Sequence, residues 1–440
     1  MSGPLKLFWF RRDLRLQDNA GLYQALKSAI HVQPIFIFDT EILGHLKNPQ
    51  DTRVPFLYDQ VLRLKAELRE QGSDLWIFHG KVDQVFQSLL SDLKIESVYC
   101  NHDYEPSAIA RDNKIQDMCK SKGAGFETFK DQVIFEKNEI LTDARKTYTV
   151  YTPYKKKWLA KLNNSHLNAY PSEKHFSALH QNKSAKASPS LEEVGFERTD
   201  FKFYPEAKLS KPLLKNYAEV RDFPAIEGTS HLGLHLRFGT VSIRDLAQKS
   251  LKLSDVWLSE LIWRDFFMQI LFHFPHVVKS SFRPEYEKIK WRKSPQDFEK
   301  WSLGQTGYPL VDAGMRELNK TGFMHNRVRM VTASFLCKHL LMHWYEGERY
   351  FAAKLLDYDL AANNGNWQWA AGSGCDAAPY FRVFNPEAQM ERFDAKMEYI
   401  KKWVPEVGTA IYPQPMVEHK FARERAIKTY SEALKKKDSK

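Results

Sequence analysis

Short apolar runs alternate with amphipathic stretches over the first 134 residues, and this alternation constrains the fold more than any other feature. The stretches between the runs, such as residues 54–70, have helical spacing. Each run is apolar without interruption, which is typical of strands buried on both faces of a parallel sheet. The sequence therefore predicts an α/β N-terminal region with a doubly wound parallel sheet. The predicted strands are KLFWF (6–10), VQPIFIFD (32–39), DLWIFHG (74–80), SVYCN (97–101) and a weaker TFKDQVI (128–134).

The segment that follows the first run, RRDLRLQDN (11–19), is charged and lacks a glycine-rich phosphate-binding motif. Asp13, Arg15 and Asp18 could form a salt-bridged turn, whereas the arginines could alternatively bind a phosphate. The sequence leaves both interpretations open.

The second half of the chain has a different pattern. From residue 203 onward apolar spacing is helical almost throughout, and strand signals largely stop. Residues 150–198 are irregular and polar with scattered Pro and Ser, which is typical of a surface linker. We therefore expect an α/β domain over 1–135, an interdomain linker over 136–200 and a larger all-α domain over 201–440.

The charge balance and the cysteines limit the class of protein. The chain has 65 Lys and Arg against 54 Asp and Glu, a net charge of +11 that favours a polyanionic partner. Cys100, Cys119, Cys337 and Cys375 form no CxxC or zinc-ligand spacing, so we expect free thiols and no metal. The sequence has no apolar run of about 18 residues. These features predict a soluble cytoplasmic protein.

The stretch LLDYDLAANNGNWQWAAGSGCDAAPYFRVFNP (355–386) combines carboxylates, amides, indoles and small residues. Such a set suits a planar heteroaromatic ligand, because rings stack on its faces and polar groups pair with its edge. Packing of the aromatic residues in a core is the alternative. GSGCDA (372–377) matches a dinucleotide-binding pattern, but no predicted strand precedes it, so we reject that interpretation.

Three earlier segments also carry groups capable of chemistry. In EGTSHLGLHLRFGTVS (227–242), Thr229 and Ser230 could bind a phosphate or could simply cap a helix. In DVWLSELIWRDFF (255–267), helical spacing places Glu260 near tryptophans, where it either serves a site or pairs with Arg264. In TGFMHNRVRMVTASFL (321–336), a helix that begins near His325 would align an amide, a thioether and a cation.

These motifs, in this order, resemble those of the photolyase/cryptochrome flavoproteins over nearly the whole chain, and most closely the class I cyclobutane pyrimidine dimer (CPD) photolyases. The resemblance implies an antenna-type first domain and an all-helical FAD-binding catalytic domain. The motifs are WFRRDLRLQDN (9–19), YTVYTPYKKKW (148–158), EGTSHLGLHLRFGTVS, WLSELIWRDFF (257–267), TGYPLVDAGMRELNKTGFMHNRVRMVTASFL (306–336) and DYDLAANNGNWQWAAGSGCDAAPYFRVFNP (357–386).

The resemblance further implies a non-covalent FAD that is fully reduced in the active state, with Asn363 facing flavin N5. Folate-binding relatives carry a glutamate at the position that matches Ala108, so a folate antenna is not expected. A deazaflavin, a flavin or no second chromophore remain open. By motif position, the cofactor-binding residues are Tyr217, Thr229, Ser230, His231, Leu232, Gly233, Trp257, Glu260, Arg264, Asn326, Arg329, Asp357, Asp359 and Asn363.

The function implied by the resemblance is light-driven repair of CPDs in ultraviolet-damaged DNA. Excited reduced FAD donates an electron to the flipped-out dimer, which splits and returns the electron. The implied catalytic residues are Glu260, Asn326 and Met330, joined by an electron relay of Trp367, Trp344 and Trp291. The implied DNA and lesion contacts, in a protein expected to be a monomer, are Arg221, Glu260, Trp263, Asn326, Met330, Trp369 and Gln389.

Four alternatives compete with this interpretation. Photolyases of (6-4) lesions carry a second histidine where this chain has Asn326, and the single-strand-preferring DASH relatives differ around HNRVRM. Plant cryptochromes, which are photoreceptors, carry aspartate where this chain has Asn363. A DNA-binding protein without catalysis would leave the flavin motifs unexplained. The sequence favours CPD repair.

Overall fold

The structure is a computed structural model that describes residues 4–28 and 31–435. The chain forms two compact units, each assembled from segments that are distant in sequence. The first unit comprises Met1–Glu136, Lys161–Lys208 and His231–Lys252, and the second comprises Lys137–Ala160, Leu209–Ser230 and Leu253–Lys440. The predicted domain boundaries at residues 135 and 200 stay a prediction.

A five-stranded parallel sheet forms the centre of the first unit, with strand order β3-β2-β1-β4-β5. Every residue of β1 and β2 is buried, as expected for predominantly apolar strands with both faces covered. The predicted α/β class is therefore confirmed. The last strand begins three residues earlier than predicted. The apolar residues after it are buried, but they lie in irregular backbone and not in the strand. The strands are β1 (Leu5–Phe10), β2 (Val32–Asp39), β3 (Trp76–Gly80), β4 (Ile95–Asn101) and β5 (Gly125–Phe129).

Helices cover the sheet of the first unit and create a separate apolar core on each face. Phe8 and Phe10 of β1 belong to one core, whereas Leu7 and Trp9 belong to the other. This division follows from the alternation of side chains along a strand. The helices of this unit are α1 (Ala20–Ser28), α2 (Thr40–Leu43), α3 (Arg53–Glu70), α4 (Val82–Asp92), α5 (Pro106–Ser121), and, later in the chain, α8 (Gly233–Phe238) and α9 (Ile243–Leu253).

The charged segment after β1 forms buried ion pairs. Arg15 donates to Asp131 at 2.6 Å, and Arg244 of α9 donates to both Asp131 and Asp18 at 2.8 Å. Burial alone would raise the pKa of Asp131, but the two guanidinium groups outweigh it and lower the pKa to about 2. Arg15 and Asp18 are therefore ion-paired, but with Asp131 and Arg244 outside the segment, whereas the predicted turn paired residues within it.

The second unit is helical, which confirms the predicted all-α character of the C-terminal part. One of its helices, α6, lies inside the stretch predicted as a linker. The helices are α6 (Tyr151–Lys161), α7 (Lys211–Val220), α10 (Asp255–His273), α11 (Pro295–Leu303), α12 (Pro309–Thr321), α13 (Asn326–Ser334), α14 (Trp344–Lys354), α15 (Leu360–Ala371), α16 (Pro386–Phe393), α17 (Glu398–Trp403) and α18 (His419–Leu434).

Helix α15 is the central element of the second unit, packed against α10, α13 and α14. Two glycines permit this close approach. A Cβ atom on Gly347 of α14 would lie 2.2 Å from the Trp367 ring, and one on Gly365 would lie 2.2 Å from the Phe267 ring. Because larger residues would push these helices apart, glycine positions the residues of α15.

Two further observations concern membranes and metals. Across residues 4–28 and 31–435, we find no helix that is both long and apolar enough to cross a bilayer. The same residues contain no group of three or more His, Cys, Asp and Glu side chains placed to hold a metal ion. The four cysteines are buried as free thiols.

Candidate functional site

A cavity with about 600 Å³ of empty space lies in the second unit, lined by α13, α14, α15 and residues 355–359. The structure thus brings together residues that lie up to 44 positions apart in the sequence. The predicted site residues that line it are Asn326, Arg329, Met330, Asp357, Asp359, Asn363, Trp367 and Trp369.

Asn363 has the most informative hydrogen bonds in this cavity. Its Nδ2 donates to the Glu348 backbone oxygen at 3.1 Å and to Glu348 Oε1 at 2.9 Å. Within the described part of the chain, no group donates to Asn363 Oδ1. Because the amide is held at its nitrogen, its oxygen is an oriented acceptor for a ligand N–H.

Glu348 holds this amide from α14, and sequence reasoning did not find it. Burial raises the pKa of the Glu348 carboxyl to about 7, while its bond with Asn363 and the charge of Arg349 act in the opposite direction. Glu346 of the same helix is equally acidic in the sequence. Only burial and a partner 15 residues away distinguish Glu348 from it.

The two predicted carboxylates at the start of α15 have different structural partners. Asp357 accepts two bonds from Arg329 Nη2, at 3.2 and 2.9 Å, and Arg329 Nε donates to the Met324 backbone oxygen. Asp359 is the N-cap of α15, where it accepts from the Ala361 amide at 3.1 Å. The cavity therefore has one wall fixed by an ion pair and a helix cap.

Glu260 of α10 bonds to Arg221, the C-cap residue of α7, and both side chains are half-exposed. Burial raises the pKa of Glu260, and Arg221 is the main opposing influence. The sequence considered an ion pair between Glu260 and Arg264, but Arg221, 39 positions away, is the bonded cation. Neither Glu260 nor Arg221 is among the residues that line the cavity.

Trp263, one turn along α10 from Glu260, is stacked on one face by Tyr151 of α6. The ring centroids lie 3.5 Å apart with an interplanar angle of 6°. Phe267 stacks at 5.5 Å. The Tyr151 hydroxyl donates to the Ser259 backbone oxygen at 2.9 Å, which fixes the tyrosine ring. Sequence reasoning missed Tyr151, because the contact joins segments more than 100 residues apart.

Two of the three predicted relay tryptophans are buried and one is partly exposed. Trp367, at the cavity, and Trp344, at the start of α14, are buried, whereas Trp291 is partly exposed. His343 lies between the last two, with ring centroids 5.4 Å from Trp291 and 5.6 Å from Trp344. The Trp367 ring packs on Gly347, one turn after Trp344.

Comparison with known proteins shows the family. Residues 6–174 match the family described as DNA photolyase, and residues 257–411 match the FAD binding domain of DNA photolyase. A deoxyribodipyrimidine photo-lyase of Halobacterium salinarum is 36% identical over 98% of this chain and 99% of its own length. That of Escherichia coli is equally similar, with the same coverage of both chains. The chain belongs to the DNA photolyase family.

Solved structures of the family agree with this assignment. A class III photolyase from Agrobacterium tumefaciens has a TM-score of 0.86 at 31% identity, covering 99% of both chains. An archaeal photolyase from Sulfolobus tokodaii, solved with two FAD molecules, has a TM-score of 0.82 at 34% identity. The match covers 97% of this chain and 99% of the archaeal chain. A Synechocystis cryptochrome has a TM-score of 0.85 at 25% identity, and the match covers 98% of this chain and 99% of the cryptochrome. The predicted resemblance and fold class are confirmed.

The chain is an enzyme of the DNA photolyase family with an FAD-binding domain, as the sequence predicted. Its own residues fit the cofactor. The cavity offers an oriented acceptor at Asn363 Oδ1, an ion-paired carboxylate at Asp357 and the indole of Trp367. These groups match the polar edge and the flat faces of a flavin ring.

Other predicted photolyase residues lie outside this cavity. Trp257 is buried on α10, and Arg264 lies on the same helix. Tyr217, on α7, is buried, and Thr229 and Ser230 are partly exposed in the same unit.

Three predicted cofactor-binding residues lie in the first unit, and one predicted DNA contact lies on α16. His231, Leu232 and Gly233 belong to the first unit, where Leu232 is the N-cap of α8. The predicted alternative of a cap at Thr229 or Ser230 is therefore wrong for this helix. Gln389 lies on α16, and its buried Oε1 has no hydrogen-bond partner among the described residues.

Proposed function

We propose that this member of the photolyase family uses blue or near-ultraviolet light to split cyclobutane pyrimidine dimers in DNA. The observation that carries the proposal is the cavity of the second unit, where Asn326, Met330 and Trp369 share one space with Asn363 and Asp357. Fully reduced FAD, when bound there, supplies the light-excited electron that splits the dimer. The curated relatives named deoxyribodipyrimidine photo-lyase support this choice of substrate.

On the cofactor side, the residues of the chain bind and orient. Asn363 Oδ1 would accept a hydrogen bond from N5–H of a bound reduced flavin, because Glu348 holds the amide nitrogen. Arg329 keeps the Asp357 carboxylate in place beside the ring. Trp257, Arg264, Asp359, Tyr217, Thr229 and Ser230 complete the proposed contacts, and His231, Leu232 and Gly233 stay predictions.

On the substrate side, the residues hold a dimer that has left the DNA stack. Glu260 and Asn326 hydrogen-bond the pyrimidine edges, and Trp263 and Trp369 form flat walls. Met330 fills the remaining gap with a polarisable thioether. Arg221 and Gln389 reach the DNA backbone, helped by the net charge of +11.

Trp367, Trp344 and Trp291 supply electrons from the protein surface when the bound flavin is oxidised. Trp367 lines the cavity, Trp344 is buried and Trp291 is partly exposed, which supports a path that ends at solvent at Trp291. We also expect the protein to act as a cytoplasmic monomer.

A blue-light photoreceptor is the second candidate, since a cryptochrome shares the fold with a TM-score of 0.85. The two functions differ in one observable result, the repair of damaged DNA. Asn363 favours repair, because the resemblance associates aspartate at this position with plant cryptochromes.

The decisive experiment uses purified protein with its bound flavin reduced. It is mixed with an oligonucleotide that contains a single CPD and illuminated with near-ultraviolet light, while thymine recovery is followed by chromatography. Recovery in light, and none in the dark, is the expected result. Equal recovery in both conditions, or no recovery in light, would contradict the proposal, and a (6-4) oligonucleotide tests lesion choice.

A further inference from the structure

The ion pair between Arg221 and Glu260 is accessible from solvent. Arg221 ends α7, and its side chain is 36% exposed, while that of Glu260 on α10 is 38% exposed. The buried pair of Arg244 with Asp131 is far less exposed, at 5% and 1%. A ligand can therefore compete for Arg221 without unfolding any part of the unit.

The other groups around Glu260 do not replace Arg221. Asp222 pairs with Arg327 at 2.8 Å, and it repels the Glu260 carboxylate. Lys155 of α6 donates to the Ser259 hydroxyl at 2.6 Å and acts on Glu260 only through its charge. The hydroxyls of Tyr151 on α6 and Tyr217 on α7 also face Glu260. Arg221 is thus the cation that bonds directly to this carboxylate.

The lesion and the DNA backbone require different hydrogen-bonding partners. A phosphate oxygen is an acceptor that suits a guanidinium group. The C4 carbonyl oxygen of a pyrimidine is also an acceptor, so a carboxyl group can donate a hydrogen bond to it only when it is protonated. Arg221 bound to Glu260 serves neither of these contacts.

We propose that Arg221 exchanges Glu260 for a DNA phosphate when damaged DNA binds, and that the released Glu260 takes up a proton and donates it in a hydrogen bond to the lesion. The inference rests on the proposed function. It adds a coupling between backbone contact and lesion recognition. The proton comes from solvent, and no electron or covalent bond changes in this step.

The electrostatics of the site support the proton uptake. Burial raises the pKa of Glu260, and Arg221 is the first of the influences that lower it. Transfer of Arg221 to a phosphate leaves burial and the charge of Asp222, which both raise the pKa, and the charge of Lys155, a weaker influence that lowers it. Because binding then consumes a proton, affinity for the lesion decreases as pH rises above the pKa that Glu260 has in the free protein.

The test measures protons taken up when the full-length protein with its flavin binds, in the dark, a duplex containing one CPD. Calorimetry in two buffers of different ionisation enthalpy gives this number. We expect an uptake of up to about one proton for the wild type and nearly none for Glu260→Gln. Since glutamine is a donor at every pH, Glu260→Gln should bind the lesion with a flatter pH profile.

Arg221→Met provides a second measurement. Loss of one phosphate contact should weaken binding by roughly tenfold and reduce the salt slope by about one. Proton uptake should also decrease, because Glu260 in the free variant has already lost Arg221. Arg198→Met is the matched control, since Arg198 forms an exposed pair with Asp59 in the first unit. This control should keep the wild-type proton uptake.

Two results would overturn the inference: equal proton uptake in the wild type and Glu260→Gln, or an unchanged salt slope in Arg221→Met. Either result, obtained with a protein that prefers and repairs the lesion, refutes the exchange and leaves the proposed function intact. Absence of lesion preference in the wild type refutes the proposed function itself. The two failures are therefore distinguishable.

Discussion

Asp131 in the first unit and Glu348 in the second are both buried carboxyl groups, at 1% and 4% exposure, but their pKa values are shifted in opposite directions. Two guanidinium groups, from Arg15 and Arg244, lower the pKa of Asp131 to about 2. Among the residues that the structure describes, the Glu348 carboxyl is bonded only to the Asn363 amide, and burial raises its pKa to about 7. The nature of the partner, and not burial alone, therefore decides the charge.

The opposite pKa shifts distinguish Asp131, a structural carboxyl group, from Glu348, a carboxyl group at the candidate site. Asp131 links segments of the first unit as a charged anchor with satisfied hydrogen bonds. Burial makes a negative charge on Glu348 unfavourable. Glu348 nevertheless holds Asn363, which lines the cavity. Natural proteins accept such local cost mainly where a site requires it. The following predictions test this comparison.

The largest effect is expected from Asp131→Ala. The change leaves two buried guanidinium groups without their shared carboxylate, so unfolding free energy should decrease by about 3–5 kcal/mol. Urea denaturation at pH 7 measures this loss. A decrease below about 1 kcal/mol would show that Asp131 is not the anchor of these segments.

Glu348→Gln should have an effect that depends on pH. The folded-state pKa of Glu348, about 7, lies above the ordinary value of 4.5, so the folded state binds the proton more tightly. Its stabilisation is present below pH 4.5 and is lost as pH rises through 7. Relative to the wild type, the variant should gain up to about 3 kcal/mol between pH 5 and pH 8.

The matched control for this prediction is Glu391→Gln on α16, where the side chain is exposed. Its stability relative to the wild type should not depend on pH over the same range. A pH-independent difference for Glu348→Gln as well would contradict the pKa assigned to Glu348. Chemical denaturation at several pH values gives both curves.

Trp367→Phe should affect electron transfer in the second unit. If Trp367 begins the relay, photoreduction of the oxidised flavin should slow about tenfold or more, which is at least 1.4 kcal/mol in the barrier. Repair by pre-reduced enzyme should remain close to the wild type. Flash absorption spectroscopy follows photoreduction.

Trp9→Phe is the control for the relay, because Trp9 is a buried tryptophan in the first unit. Its photoreduction should match the wild type. Equal loss of repair and photoreduction in Trp367→Phe would point to disturbed packing at the cavity and would contradict the relay.

The smallest effect on stability is expected from Arg221→Met. Its pair with Glu260 is accessible to solvent, so the unfolding free energy should change by less than about 1 kcal/mol. Thermal unfolding in the absence of DNA measures the change. A loss comparable with that of Asp131→Ala would mean that this pair is also structural.

Much of the site was predictable because its residues are close in sequence. Asp357, Asp359, Asn363, Trp367 and Trp369 lie within 13 positions, and helical spacing keeps such residues near one another. Glu348 and Tyr151 were missed for the opposite reason. Their contacts with Asn363 and Trp263 form only when separate helices pack.

The sequence by itself determined the parallel sheet, the helical second unit and the kinds of groups at the cavity. Apolar periodicity and residue chemistry are local properties, so they can be read without coordinates. Only the tertiary structure decided that Arg15 forms an ion pair with Asp131 and Arg221 with Glu260. Charge pairing and burial depend on which distant segments pack together, and these set the pKa values that separate an anchor from a functional carboxyl.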